Sequence, residues 1–317
     1  MPSKNSNETM CLTIDFIIAD QTTERPKRAP TTLQKAWYKQ NAIKGDITVF
    51  DELFDDGIID PEAVVDNDLG FTVLHYAGYF GYLRFFNLYE RKGANLMPEQ
   101  GKSPGRTPLH FAAQQGHLDV VKFLTARIED KNPSDDDGYT CLHGASEKGQ
   151  LNIFKYYKEE LNYTDINPGQ VSDDEKLNGR TPLHWASQHG HIELAKYIIE
   201  GLDNKNPSDA NGATPLHLAA QFGHLDIVKL IAPFVSDKNP KTGKVYDERT
   251  PLGLAAQFGH LDVVKYLVGL VPEAEVNVKD SNNLTPLDHA KENGHDDVVN
   301  FLESVQSPTT TTTTTTK

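Results

Sequence analysis

The stretch TPLHLAAQFGHLDIVKLI, residues 214–231, decides the fold because close copies of it recur along the chain. The next copy, TPLGLAAQFGHLDVVKYL at residues 250–267, has Gly253 where the first has His217. The opening Thr recurs at Thr72, Thr107, Thr140, Thr181, Thr214, Thr250 and Thr285. A base period of 33 residues with short insertions accounts for this spacing. Such a period is typical of a protein built from stacked repeats.

Each copy predicts two short helices. Thr214 is placed to cap the first helix with its hydroxyl, and Pro215 follows at the first helical position, where a missing N–H costs nothing. Gly223 supplies a left-handed residue that ends this helix. Apolar residues spaced three apart in 225–231 then lie on one face of the second helix. Two helices of this size bury a core only when stacked on like neighbours.

The TPLHxAAxxGHL phrase at this period resembles the ankyrin repeat over residues 70–303. The resemblance implies an all-α solenoid of stacked helix-turn-helix units, with β-hairpin fingers between them and a concave face that binds other proteins. Seven units start near residues 70, 105, 138, 179, 212, 248 and 283. Stretches rich in Asn, Pro, Asp and Gly, such as 130–138 and 204–212, are predicted to form turns or short hairpins.

The segments outside the repeats are assigned by composition. Residues 31–69 resemble a degenerate leading repeat whose polar outer side suits a cap. Residues 1–30 are predicted to be a disordered N-terminal arm, and the Thr-rich residues 304–317 a disordered tail.

Composition and charge exclude several classes of partner. The formal net charge of −14 argues against nucleic acid, because a phosphate backbone attracts basic proteins. No apolar run approaches the roughly 20 residues that span a membrane. The two cysteines, Cys11 and Cys141, suggest no disulfide framework and fit a reducing compartment. We therefore expect a monomer in the cytoplasm or nucleus.

The twelve histidines follow the repeat and not one cleft. Five stand at the phrase position: His75, His110, His143, His184 and His217. Five follow the helix-ending Gly: His117, His191, His224, His260 and His295. The HExxH motif of a helical metal site is absent from the sequence. We predict a structural brace in which imidazoles bond to backbone or to the Thr hydroxyl, and neither a metal nor a cofactor.

The sequence carries no motif for catalysis. It contains no phosphate-binding GxxxxGK[ST], no GxSxG and no CxxC, and all its histidines lie inside the repeats. We therefore predict that the protein is not an enzyme but a non-catalytic scaffold or adaptor. The alternative interpretation is a regulatory or targeting subunit of an enzyme complex, acting as an inhibitor or substrate receptor.

Variable positions of the repeat are candidates for partner binding. One set precedes the capping Thr and another precedes the helix-ending Gly, and both carry Arg and aromatic residues, which dominate binding energy at interfaces. The predicted contact residues are Phe80, Arg106, Tyr139, Arg180, Phe222, Arg249 and Phe258. Two alternatives stay open: the phenylalanines pack internally, or the arginines pair with acids of the fingers. Trp185 is predicted to belong to the core.

Two further features have open interpretations. Residues 162–179 form a longer finger, either a functional loop or a tolerated insertion. The stretch Glu275-Val276-Asn277 resembles the site at which ankyrin-repeat proteins are hydroxylated on Asn, which would make Asn277 a modification site.

Overall fold

The computed structural model describes residues 32–48, 50–51, 63–99, 105–170 and 179–306. The predicted arm at 1–30, part of the predicted cap, residues 171–178 of the long finger and residues 307–317 of the tail lie outside this part of the chain.

The described residues form fifteen α-helices, which begin with α1 (Thr32–Lys44) and continue as seven pairs. The first helices of the pairs are α2 (Val73–Phe80), α4 (Pro108–Gln115), α6 (Cys141–Glu147), α8 (Pro182–Gln188), α10 (Pro215–Gln221), α12 (Pro251–Gln257) and α14 (Pro286–Glu292). The second helices are α3 (Leu83–Arg91), α5 (Leu118–Thr125), α7 (Leu151–Lys155), α9 (Ile192–Glu200), α11 (Leu225–Ile231), α13 (Leu261–Val268) and α15 (Asp296–Gln306). A π-helical turn, Tyr156–Glu160, extends α7, and 3₁₀ turns cover Ala232–Phe234, Lys244–Tyr246 and Glu273–Glu275.

The start and end of each first helix follow from its sequence. Thr214 has an extended backbone, and α10 begins at the next residue, Pro215. Gly223, two residues after the helix ends, has a φ of +75°, which only glycine adopts freely. A Cβ at Gly223 would also lie 2.5 Å from Nδ1 of His260 in the next unit. This position therefore needs Gly for both backbone and packing reasons.

The helices form two layers. Each first helix packs against the first helices of the neighbouring units, and each second helix packs less closely against its own neighbours. Small buried residues such as Ala219 and Ala220 allow the close approach in the first layer. Because the first helices approach one another more closely than the second, the array curves and its first layer is concave. The predicted all-α solenoid is confirmed.

The fingers are shorter than the β-hairpins predicted for them. No β-strand occurs in the ranges described, which contain only isolated bridges between Asp66 and Phe71 and between Ser134 and Thr140. In the finger that contains Asp135, the backbone N–H of Asp135 donates to the Tyr139 carbonyl. The Tyr139 N–H donates in return to the carboxylate Oδ1 of Asp135, at 2.9 Å. The carboxylate thus takes the place of a backbone carbonyl and ends the ladder. Asp209 makes the same two bonds to Ala213, and Asp280 makes them to Leu284.

The leading segment packs onto the array. Helix α1 contacts α2, and Tyr38 and Ala42 of α1 are buried. Phe50 is fully buried with its ring 5.3 Å from that of Phe85. The core therefore continues from the first helix pair into residues 32–51.

Candidate functional site

The five phrase histidines, called here the histidine layer, bond in the same way. The backbone N–H of Thr214 donates to Nδ1 of His217 at 3.1 Å, and the Thr214 hydroxyl lies 2.9 Å from the same nitrogen. Because Nδ1 accepts a backbone N–H, Nε2 carries the ring proton and donates it to the Pro240 carbonyl at 2.9 Å. The other four rings donate to the carbonyl of the residue before the next capping Thr: Arg106 for His75, Tyr139 for His110, Arg180 for His143 and Ala213 for His184. The His217 bond differs, because Pro240 comes earlier in its finger than the equivalent residue, Arg249. Each imidazole thus caps its own helix and holds the next finger.

Burial keeps these rings neutral. Desolvation lowers the pKa of His75, His143 and His217 to about 4, and that of His110 and His184 to about 3. These five rings therefore do not titrate near pH 7. No cluster of metal-ligating side chains occurs within the part of the chain that the structure describes.

Two units lack the phrase histidine, and the structure treats them differently. In the last unit, Asp288 Oδ2 accepts from the Thr285 N–H at 2.9 Å and from its hydroxyl at 2.7 Å. The Asp288 carboxylate therefore caps its helix as the imidazole does in other units, but without the imidazole's bond to the next finger. At Gly253 there is no side chain, and the Gly253 N–H donates to the Thr250 hydroxyl at 3.1 Å.

A second row of histidines bonds in the opposite direction. His260 Nε2 lies 2.9 Å from the carbonyl of Gln221 in the preceding unit. The same bond joins His117 to Tyr79, His191 to Glu147, His224 to Gln188 and His295 to Gln257. Adjacent units are therefore tied forward by one row of imidazoles and backward by the other.

Sequence reasoning missed a further framework motif, KNP, at residues 131–133, 205–207 and 238–240. Lys205 Nζ donates to the carbonyls of Ile199, at 2.6 Å, and Leu202 at the end of α9. Asn206 Oδ1 accepts the N–H of Leu216 in the first turn of α10 at 3.0 Å. One tripeptide thus caps two helices, and its threefold recurrence was the signal that could have revealed it.

The residues before the capping Thr form a row on the concave side, called here the concave stripe: Phe71, Arg106, Tyr139, Arg180, Ala213, Arg249 and Leu284. Arg106 Nε pairs with Asp135 Oδ2 at 2.9 Å, and its guanidinium lies 4.3 Å from the centre of the Tyr139 ring. The Tyr139 hydroxyl donates to Glu147 at 2.7 Å. Only 4% of Tyr139 is exposed, so this residue offers a partner little surface.

The other predicted contact residues are more accessible, apart from Arg180. Phe222 and Phe258 follow α10 and α12 directly, and each is 45% exposed. Phe80, the last residue of α2, is exposed beside the rings of Tyr76 and Tyr82. These three side chains stand at equivalent positions of their units.

Arg180, Arg249 and Phe258 line one recess on the concave side, whereas Phe80, Arg106 and Tyr139 lie in earlier units outside it. Trp185, predicted to belong to the core, is half-buried, and the Arg180 guanidinium lies 5.8 Å from its ring centre. The structure thus brings three of the seven predicted contact residues to one place.

The ankyrin-repeat family model matches three stretches, residues 85–168, 159–242 and 231–311. The chain belongs to the ankyrin-repeat family. Ankyrin repeats are generally protein–protein interaction modules, and the family is typically non-catalytic. No curated protein matches this ankyrin-repeat chain. Within the described ranges, no helix is both long enough and apolar enough to cross a membrane.

Proposed function

We propose that this ankyrin-repeat protein is a non-catalytic scaffold or adaptor that binds a protein partner on its concave surface. The observation that best supports this is the exposure of Phe222 and Phe258 in adjacent units. Buried apolar surface contributes about 25 cal/mol per Å² to association before its costs are subtracted. Large aromatic side chains are therefore effective contacts when a partner covers them.

The bonding of the array supports a preformed binding surface. The phrase histidines hold each finger to the preceding unit, and the second histidine row holds the helix ends. A surface fixed in this way loses little conformational entropy on binding. The net charge of −14 favours a protein over a nucleic acid as the partner.

The test is affinity capture from a cell lysate with the full chain and with a Phe222→Asp/Phe258→Asp variant. The matched control is Phe234→Asp, because Phe234 is also exposed but follows a second helix, away from the concave layer. Tyr139 is left unchanged because its substitution would disturb packing. Circular dichroism checks that every variant is folded.

Proteins retained by the wild type and by Phe234→Asp, but lost by the double variant, are the expected result. If all three chains retain the same proteins, binding on the concave surface is wrong and the long finger becomes the next region to test.

A further inference from the structure

The recess on the concave side lies between units four and six. It has a volume of about 140 Å³ and is lined by Arg180, Ala213, His217, Leu218, Gln221, Thr242, Val245, Tyr246, Asp247, Arg249, Leu254 and Phe258. Ligand pockets for cofactors and drug-sized molecules are usually about 300 Å³ or larger. A recess of this size fits one side chain.

The recess exists because Ala213 is small. Other units carry Phe, Tyr, Arg or Leu at this position of the concave stripe, and Ala213 leaves a gap between Arg180 and Arg249. Across this gap, Arg180 Nη2 donates to the hydroxyl of Tyr246, 66 residues further along the chain, at 3.4 Å.

The finger over the recess has an unusual backbone. Tyr246 lies in the 3₁₀ turn Lys244–Tyr246, and the two residues after it, Asp247 and Glu248, have φ values of +58° and +52°. Two successive non-glycine residues in this region cost free energy, and such conformations cluster at binding sites. Here they place Tyr246 and Asp247 on the wall of the recess.

The charge of Arg180 is incompletely matched. Among the described residues its acidic partner is Asp209, with Nε and Oδ2 3.7 Å apart, and neither atom has a hydrogen-bond partner there although both are buried. Arg106, at the same position of the stripe, pairs with its acid at 2.9 Å. Elsewhere in the described part of the chain, Arg180 donates to the neutral groups of Gln188 and Tyr246, and its guanidinium lies 5.8 Å from the Trp185 ring centre.

The second arginine of the recess is already engaged. Arg249 donates to Asp247 at 2.9 Å and to Gln257 at 2.7 Å, and its Nε lies 3.7 Å from Asp280. Asp247 therefore offsets the charge of Arg249. A group entering the recess meets Arg180, whose ion pair with Asp209 is long, and the exposed Phe258 ring, while the charge of Asp247 is taken up by Arg249.

We propose that this recess binds the carboxylate of a Glu or Asp side chain in an extended segment of the partner, through Arg180, while an apolar neighbour of that residue covers Phe258. A guanidinium suits this role because its planar set of N–H groups matches a carboxylate. The inference rests on the proposed function, since it names the chemistry recognised at one point of the same surface.

The test uses short random peptides displayed and selected on the full chain, followed by binding of labelled synthetic copies. Each selected acidic peptide is compared with its Gln or Asn counterpart and with a phosphoserine counterpart. The protein variants are Arg180→Gln and Ala213→Tyr, since the Tyr at the equivalent position 139 shows that the fold accommodates this residue. Arg127→Gln is the control, because Arg127 also pairs with an acid, Glu90, but follows a second helix and lies outside the recess.

The selected peptides are expected to share an acidic residue beside an apolar one. Affinity should fall about tenfold when the peptide acid is neutralised, and by a similar factor in Arg180→Gln and in Ala213→Tyr. When the neutralised peptide is tested against Arg180→Gln, its affinity should be little lower than with either change alone. Arg127→Gln should leave affinity unchanged.

Several outcomes would overturn the proposal. These are selected peptides without an acidic residue, equal effects of Arg180→Gln and Arg127→Gln, or binding of the phosphoserine peptide alone. If Phe222→Asp/Phe258→Asp abolishes binding while Arg180→Gln and Ala213→Tyr do not, carboxylate binding in the recess is wrong. Partner binding on the concave surface is then still supported. If no peptide is selected, or if the phenylalanine variant binds as well as the wild type, both proposals fail.

Discussion

The histidine layer and the concave stripe occupy neighbouring positions of the same units but bond to different kinds of partner. Every histidine of the layer bonds to backbone groups on both sides, and these groups are present whatever the neighbouring sequence. The residues of the stripe bond to side chains, so Arg106 is matched by Asp135 while Arg180 is not fully matched. Bonds to backbone therefore preserve one structure in each unit, and bonds to side chains let units differ.

The largest effect expected is acid unfolding through the histidine layer. All five folded-state pKa values, about 3 to 4, lie below the value of about 6.5 in an unfolded chain. The unfolded chain thus binds more protons, and stability present above pH 6.5 is lost as the pH falls toward 4. Each pKa unit corresponds to about 1.4 kcal/mol per histidine, against a typical total of about 5–15 kcal/mol. Circular dichroism during acid titration measures this, and full stability down to about pH 4 would contradict it.

His217→Ala should break the layer at one point and lower the free energy of unfolding by about 2–4 kcal/mol. The substitution leaves the Thr214 N–H and the Pro240 carbonyl without their partner and opens a cavity. His189→Ala is the control, because His189 is exposed, and it should change stability by less than about 0.5 kcal/mol. Urea denaturation compares the two, and equal losses would show that the layer is not a special brace.

Gly253→Ala should make the sixth unit more stable by about 1 kcal/mol, the usual difference between Gly and Ala inside a helix. A Cβ at Gly253 meets only the Thr250 hydroxyl oxygen, at an ordinary contact distance of 3.4 Å. Gly223→Ala is the opposite control, since its positive φ and the nearby His260 ring make it destabilising. Thermal unfolding should rank Gly253→Ala above the wild type and Gly223→Ala below it.

The smallest effect on stability is expected for Phe222→Asp and Phe258→Asp. Each residue is 45% exposed and lies outside the buried core, so each change should alter the free energy of unfolding by only about 0.5 kcal/mol. A loss several times larger in urea denaturation would mean that these rings are packing residues. The contrast with His217→Ala would then disappear.

The backbone framework could be predicted from the sequence because its chemistry is local. Thr214, Pro215 and Gly223 act within one helix, so their types indicate its bounds without knowledge of the neighbours. The burial of Tyr139 could not be predicted in this way. It depends on Arg106 from the preceding unit and on Glu147 a full helix away.

The recess also could not be predicted from the sequence. It requires a small residue, Ala213, together with a finger whose Asp247 and Glu248 take left-handed conformations. Glu248 stands where the repeat has Gly, which marks the finger as irregular but does not give its path. Side-chain contacts between distant units are therefore the part of the surface that needs a structure.

Gly253 has a consequence for where the repeat array begins to unfold. The first five units each carry a forward imidazole bond, whereas the sixth, which has Gly253, does not. Among the described residues, the sixth and seventh units are joined by the backward bond from His295 to Gln257 and by a bond from Gln306 to Asn277. Because each unit is stabilised mainly by its neighbours, the weakest junction sets where opening begins. Helices α14 and α15 should thus exchange their amide hydrogens earlier than the central pairs. The missing imidazole should thus let the last helix pair open before the rest of the array does.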